Sequence, residues 1–143
     1  VAADISPQLI DIAQLRLPYD LQRQVSFHVG DMLDPKLGTF DAVIAMDSLI
    51  YYTAEDIGGA LKKLEPRVGG PIVFTVAPRT PALMAMWYAG KAFPRSGRSP
   101  VMIPHAHTKL AKAAKTAGVR RMLRPVERVS SGFYISEAME LRP

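Results

Sequence analysis

Three aspartates each close a hydrophobic run: Val1-Ala-Ala-Asp4, Val25-Ser-Phe-His-Val-Gly-Asp31 and Phe40-Asp-Ala-Val-Ile-Ala-Met-Asp47. Runs of this length and composition read as strands. In an open α/β sheet, ligands bind in the crevice outside the carboxyl ends of the strands. The spacing therefore predicts three carboxylates lining one crevice. Such a crevice suits a ligand that carries ribose hydroxyls, an amino-purine edge or a positive charge. A second constellation, His105-Ala-His107, has the residue type of a metal site. Two imidazoles without a nearby third ligand make a poor one, and a loop leading into a helix is the expectation there.

The elements that must position these groups follow from periodicity. Ser6-Pro7 starts a helix, with Leu9, Ile10, Ala13 and Leu17 as its inward stripe and Pro18 as its stop. Residues 24–30 form the next strand, and Asp34-Pro35-Lys-Leu-Gly38 a turn. Residues 40–46 are apolar on both faces, as a buried parallel strand should be. Thr53-Ala-Glu-Asp56 opens a second helix with a capping-box pattern, and Ile57, Ala60, Leu61 and Leu64 form its buried stripe. Pro66 and Gly69-Gly70 close it, and residues 71–77 make another buried strand.

A short helix from Thr80-Pro81 carries Leu83, Met84, Met86, Trp87 and Tyr88 on more than one face. A loop at 93–100 follows it. Thr108 opens a further helix, with Leu110, Ala113, Ala114 and Ala117 inward and Lys109, Lys112 and Lys115 outward. Residues 119–129 and 133–141 read as a hairpin joined at Ser130-Ser-Gly132, with Phe133, Ile135, Met139 and Leu141 alternating inward. The turn at 34–38 is too short to cross over between directly neighbouring parallel strands, so the 25–30 and 40–46 strands are not expected to pair.

The chain has 143 residues, 48% hydrophobic and 22% charged, with no cysteine. That is enough for one folded domain over 1–143 and excludes disorder, a disulfide framework and a thiolate site. No apolar run reaches the roughly 18 residues of a membrane span, and no signal peptide is read; a cytoplasmic setting is expected. The net charge is +5 and is unevenly placed. Ten acids outnumber Lys and Arg in residues 1–66, whereas only three acids face a large basic excess in 67–143. This asymmetry suits an acidic substrate or an anionic surface. The basic residues do not form an aromatic-lined tracking stripe, so no nucleic-acid partner is expected.

With Asp4, Gly30-Asp31 and Met46-Asp47 in this order, the chain resembles the class I S-adenosylmethionine (SAM) methyltransferases. Longer strings sharpen the resemblance. Gly30-Asp-Met-Leu33, Ala45-Met-Asp-Ser-Leu-Ile50, Val73-Phe-Thr-Val-Ala-Pro-Arg-Thr80 and Ser130-Ser-Gly-Phe-Tyr-Ile-Ser136 are similar to the magnesium-protoporphyrin IX O-methyltransferases, over the whole of 1–143. The resemblance implies a Rossmann-like SAM methyltransferase sheet, α/β and mostly parallel, with a terminal antiparallel hairpin. The family's glycine-rich loop would lie before Val1, so the chain is expected to be a C-terminal part.

The implied activity is methyl transfer from SAM to a propionate carboxylate of magnesium protoporphyrin IX, in chlorophyll or bacteriochlorophyll biosynthesis. Asp4, Ile5, Gly30, Asp31, Met32 and Asp47 are then the cofactor-binding candidates, and Asp47 and Tyr51 the catalytic ones. Where the family often reads Ile-His-Tyr, this chain reads Ile50-Tyr51-Tyr52, so a histidine role does not transfer. Arg79, Met84, Trp87, Arg95 and Arg98 are the substrate candidates, within a lid-like segment at 80–107. No protein-bound metal is implied, magnesium belonging to the substrate. The pathway suggests magnesium chelatase as a partner and a peripheral contact with a photosynthetic membrane. Beside these roles stand plainer ones: Asp4 and Asp31 as local caps, Tyr51 and Tyr52 as packing aromatics, and Trp87 with its methionines as core. Another small-molecule SAM methyltransferase, or a non-catalytic porphyrin or nucleotide binder, remains open at this point.

Overall fold

The computed structural model describes residues 1–92, 102–131 and 134–143. They form two compact units, Val1–Gly38 and Thr39–Pro143, each with its own sheet. In the smaller unit, β1 (Ala2–Asp4) and β2 (Phe27–Val29) pair in parallel, with Asp4 opposite Val29. Between them runs α1 (Pro7–Arg16). Ser6 caps it by accepting the Leu9 N–H, and Pro7 takes the first helical position. The inward stripe is narrower than its periodicity predicts. Ile10 is buried and Leu17 half-buried, but Leu9 and Ala13 are exposed. A helix laid on a two-stranded ribbon covers only part of an apolar stripe.

The larger unit runs β3 (Val43–Ala45), α2 (Ala54–Leu64), β4 (Ile72–Pro78), α3 (Pro81–Ala92), β5 (Pro104–His105), α4 (His107–Thr116), β6 (Met122–Ser131) and β7 (Tyr134–Arg142). Its sheet has the order β3-β4-β7-β6, with β5 added to the end of β4. β3 and β5 lie parallel to β4, whereas β7 is antiparallel to both β4 and β6. As the short turn at 34–38 requires, β2 pairs with β1 and β3 with β4.

The core joins Ile72, Phe74 and Val76 of β4 and Met139 and Leu141 of β7 to Ile57 and Leu61 of α2 and Leu110 of α4. All four expected stripe residues of α2 are buried. Thr53 and Asp56 close the capping box at its start, each side chain serving the other's backbone N–H. Thr53→Ala is therefore expected to lower stability by about 1 kcal/mol; a chemical-denaturation midpoint unchanged from wild type would contradict the cap's role.

Several expectations are corrected. The 40–46 strand is not covered on both faces, since Ile44 is 73% exposed while Ala45 is buried. The helix from Pro81 is long, spanning twelve residues. His105 lies in a short strand rather than a loop, because Pro104–His105 pair with Ala77–Pro78 and the Arg79 N–H donates to the His105 carbonyl. α4 begins at His107, and Ala117 and Ala113 are only partly covered.

In β7 the alternation is overlaid by polar burial: Ser136, Glu137 and Glu140 are buried beside Met139 and Leu141. The acids are balanced across the ladder, Glu140 by Arg124 and Glu137 by Arg128, each pair directly opposite in register. His107 also pairs with Glu137. The Arg124 hydrogen bond, helped by Arg142, holds the Glu140 carboxyl below its ordinary value against the opposing effect of burial. The loop at 93–100 and Phe133 lie outside the described residues.

Candidate functional site

The carboxyl end of the β1–β2 pair brings one group of candidates together. The Gly30 N–H donates to the Asp4 carbonyl, which sets the Gly30-Asp31 corner beside the end of β1. Gly30 has φ 155, outside the range that side-chain-bearing residues favour. Asp4 accepts the Ser6 N–H through Oδ1, and Asp31 accepts the Leu33 N–H in the same way. Each carboxylate thus shapes its own turn, as the plainer reading of these residues holds. Ile5 is 81% exposed and Met32 half-buried, so an open apolar face stands next to the two acids. The geometry can offer carboxylate acceptors and a flat apolar contact to a nucleoside.

In the larger unit, the chain leaves β3 through Met46 and reaches Asp47, whose φ of 52 is the one left-handed value among the described non-glycine residues. That conformation costs about 1 kcal/mol for an L-residue, and aspartate is among those that tolerate it. Thr75 of β4 holds it in place. The Asp47 N–H donates to Thr75 Oγ1 at 2.7 Å, and the same hydroxyl donates to Asp47 Oδ1 at 3.0 Å. Thr75 is 3% exposed.

The following turn carries Tyr51 and Tyr52, both with exposed ring surface, and is fastened from the side. The Ile103 N–H donates to the Ile50 carbonyl, and His105 Nε2 lies 2.9 Å from the Tyr52 carbonyl. A carbonyl only accepts, so this nitrogen carries the proton. Burial, more than any nearby charge, pushes the His105 pKa down and favours the neutral ring. Its role is that of a buried tie. Among the described residues no group of three or more His, Asp or Glu side chains gathers as a metal site.

Arg79, Met84 and Trp87 come together. They line a pocket of about 290 Å³ with Tyr88, Ile103, Pro104, Ala106 and Lys109. The Trp87 and Tyr88 rings meet edge to face at 5.1 Å. Arg79 directly follows β4, so this pocket opens at the carboxyl end of that strand, where an α/β sheet takes its ligands. Two roomier hollows lie elsewhere. One is under α1, lined by Asp11 and Phe27, and the other is at the chain's entry to β3, lined by Phe40 and Arg67. Neither touches a candidate residue. Arg95 and Arg98 lie outside the described residues. Sequence reasoning did not count Thr75, Tyr88 and Lys109 as site residues; Thr75 left a signal as the single hydroxyl in the apolar run 72–77, and Tyr88 as a member of the apolar cluster with Met84 and Trp87.

Residues 45–143 match the family model described as "Magnesium-protoporphyrin IX methyltransferase C-terminus". The chain belongs to the magnesium-protoporphyrin IX methyltransferase family. The matched stretch begins just before Asp47 and takes in the whole pocket. A magnesium-protoporphyrin O-methyltransferase of Rhodobacter capsulatus is 61% identical over all 143 residues, which cover 62% of its length. A chloroplastic magnesium protoporphyrin IX methyltransferase of Arabidopsis thaliana is 24% identical, with 99% of this chain and 45% of that protein aligned. The chain therefore spans about half to two thirds of these relatives.

Among solved structures, magnesium protoporphyrin IX methyltransferase from Synechocystis with bound SAH matches with a TM-score of 0.73 at 23% identity, over 99% of this chain and 63% of that one. Human N-acetylserotonin methyltransferase in complex with SAM matches with a TM-score of 0.64 at 18% identity, over 98% of this chain and 39% of that one. The fold is thus the Rossmann-like α/β fold of the SAM-dependent methyltransferases, mostly parallel and ending in an antiparallel hairpin.

Proposed function

We propose that this member of the magnesium-protoporphyrin IX methyltransferase family takes part in methyl transfer from SAM to a propionate carboxylate of magnesium protoporphyrin IX. The observation that carries the reading is the joining of Arg79, Met84 and Trp87 in one pocket at the carboxyl end of β4, inside the matched stretch. At about 290 Å³ this pocket is at the small end for organic ligands. It suits one carboxylate-bearing edge of a flat macrocycle. Arg79 and Lys109 supply the counter-charge, Trp87 and Met84 the apolar wall. Asp4, Ile5, Gly30, Asp31 and Met32 are assigned to the nucleoside of SAM, Asp47 and the Tyr51 ring to its positive sulfonium end. Arg95 and Arg98 are assigned to the substrate within the lid segment 80–107.

The chemistry asks little of an acid or base. A propionate with a reference pKa near 4 is ionised at neutral pH. One carbon–sulfur bond breaks and one carbon–oxygen bond forms, the electron pair stays on sulfur, and no proton moves. The chain's residues align the carboxylate and exclude water. Strong cations belong on the propionate that does not react, because beside the attacking oxygen they would weaken the nucleophile. A cytoplasmic setting with peripheral contact to an anionic membrane through the basic residues, and receipt of the substrate from magnesium chelatase, complete the proposal. Among the described residues no helix is long and apolar enough to cross a membrane.

The test is a methyl-transfer assay with SAM and magnesium protoporphyrin IX, read by mass spectrometry for the monomethyl ester. It is run on the 143-residue chain and on a hybrid carrying the part of the Rhodobacter capsulatus relative outside the match. Ester from the hybrid is the expected result, with Arg79→Ala raising the KM for the porphyrin about tenfold through loss of a charged hydrogen bond. A hybrid that binds SAM yet makes no ester overturns the substrate assignment.

A further inference from the structure

We propose that Thr75 is a positioning residue for the transfer site: by fixing Asp47 through two hydrogen bonds, it allows the site to distinguish a positive sulfonium from a neutral thioether. This rests on the reading of Asp47 as facing the sulfonium end of SAM, and names the residue that would make that role effective.

Thr75 interrupts the apolar run Ile72-Val73-Phe74-Thr75-Val76-Ala77 and is as buried as its neighbours. A buried hydroxyl in an apolar strand is unfavourable unless it is hydrogen-bonded. Here both its donor and an acceptor site go to one residue. It accepts the Asp47 N–H and donates to Asp47 Oδ1. The first bond pins the left-handed backbone at φ 52. The second pins the carboxylate, whose terminal torsion is otherwise broad. β-branching holds the Thr75 hydroxyl itself in one direction.

A carboxylate held at one orientation keeps a fixed distance to a charge. Coulomb attraction, unlike apolar contact, depends directly on that distance. SAM and its product SAH differ by one methyl group and one positive charge. A held Asp47 acts on that difference alone, whereas general weakening of the fold acts on both ligands.

The experiment compares wild type, Thr75→Val, Thr75→Ser and Asp47→Asn. Affinities for SAM and for SAH are measured by calorimetry on the 143-residue chain and on the hybrid. Melting temperature and hydrogen exchange at the Asp47 amide are followed in parallel. Asp47→Asn is expected to shift the SAM-to-SAH affinity ratio against SAM by about tenfold. Thr75→Val, which keeps the shape and removes the hydroxyl, is expected to shift it the same way by about threefold. Thr75→Ser should keep most of the ratio, and the Asp47 amide should exchange faster in Thr75→Val alone.

If Asp47→Asn moves the ratio and Thr75→Val does not, the Thr75 proposal fails while the Asp47 reading stands. Equal weakening of both ligands by Thr75→Val makes Thr75 a packing residue only and overturns the proposal. A ratio untouched by Asp47→Asn, or a hybrid that binds neither ligand, overturns the site reading and the proposal with it. Unchanged exchange of the Asp47 amide in Thr75→Val overturns the lock itself, whatever the ligands do.

Discussion

Replacing Gly58 with alanine is expected to lower the unfolding free energy by about 2–3 kcal/mol, the usual range for an overpacked contact. Helix propensity alone argues the other way, since alanine is favoured over glycine inside a helix by about 1 kcal/mol. Space decides the sign. A Cβ at Gly58 would stand 2.8 Å from the Ala113 carbonyl oxygen and 3.0 Å from its carbon, both backbone atoms of α4. Backbone in a helix does not step aside as a side-chain tip does, so α2 and α4 would have to separate. The neighbouring Gly59 meets nothing within 4 Å, and Gly59→Ala should stabilise by about 0.5–1 kcal/mol. Urea unfolding of the two variants supplies the check, with the midpoint moving in opposite directions at constant slope. Stabilisation by both would mean that α2 and α4 do not approach through Gly58.

The second large effect belongs to Glu65, at the end of α2. The residue is 4% exposed, and its Oε1 accepts the N–H groups of both Arg120 and Arg121 at 2.8 Å. Lys62 Nζ lies 3.7 Å from Oε2 and also donates to the Gly118 carbonyl. The Arg121 guanidinium reaches the carbonyls of Gly70 and Val68. Glu65 therefore clasps the turn between α4 and β6 to the corner that ends α2. Glu65→Ala leaves two N–H donors without their acceptor and should cost about 2–4 kcal/mol.

Burial alone would raise the Glu65 pKa, but the two backbone donors, Lys62 and Arg120 outweigh it and the value falls below 4.5. A carboxyl depressed on folding contributes stability above its unfolded pKa, here near 4.5, and that contribution is lost as pH falls through the lower folded value. The gap between wild type and Glu65→Ala should thus be full at pH 7 and shrink below about pH 4.5. A gap independent of pH would contradict the ionised clasp.

The sequence made α2 legible because cap, stripe and stop agree: Thr53, the four buried residues and Pro66 all fall where periodicity puts them. The hairpin was legible as two strands, but its ladder runs on through Ser130 and Ser131, which composition assigns to the joint. Coverage was not. Nothing local to Leu9 or Ile44 tells how wide a surface will pack against it, and both are exposed. β5 escaped notice because a two-residue strand has no periodicity; it exists only through its pairing with Ala77 and Pro78. Strand ends predicted that Asp4, Asp31 and Asp47 each stand at or just after a strand, but not what each carboxylate would be bonded to. Arg79, Met84 and Trp87 were chosen for chemistry and a resemblance; Lys109 and Ile103, far along the chain, join them only through the fold.

The sheet order β3-β4-β7-β6 places β7, which follows the other three strands in sequence, inside the sheet. Its consequence concerns time. During synthesis β3, β4 and β6 all emerge before the strand that joins them, and β4 keeps an open ladder edge until residues 137–141 appear. An edge left open is a template for pairing with another chain, and pairings between segments so far apart form slowly. The larger unit is thus most exposed to aggregation in the interval between the appearance of β4 and that of β7. Leu141, fully buried near the close of β7 and opposite Ile72 of β4, is made after every strand it joins and is among the residues the sheet can least do without.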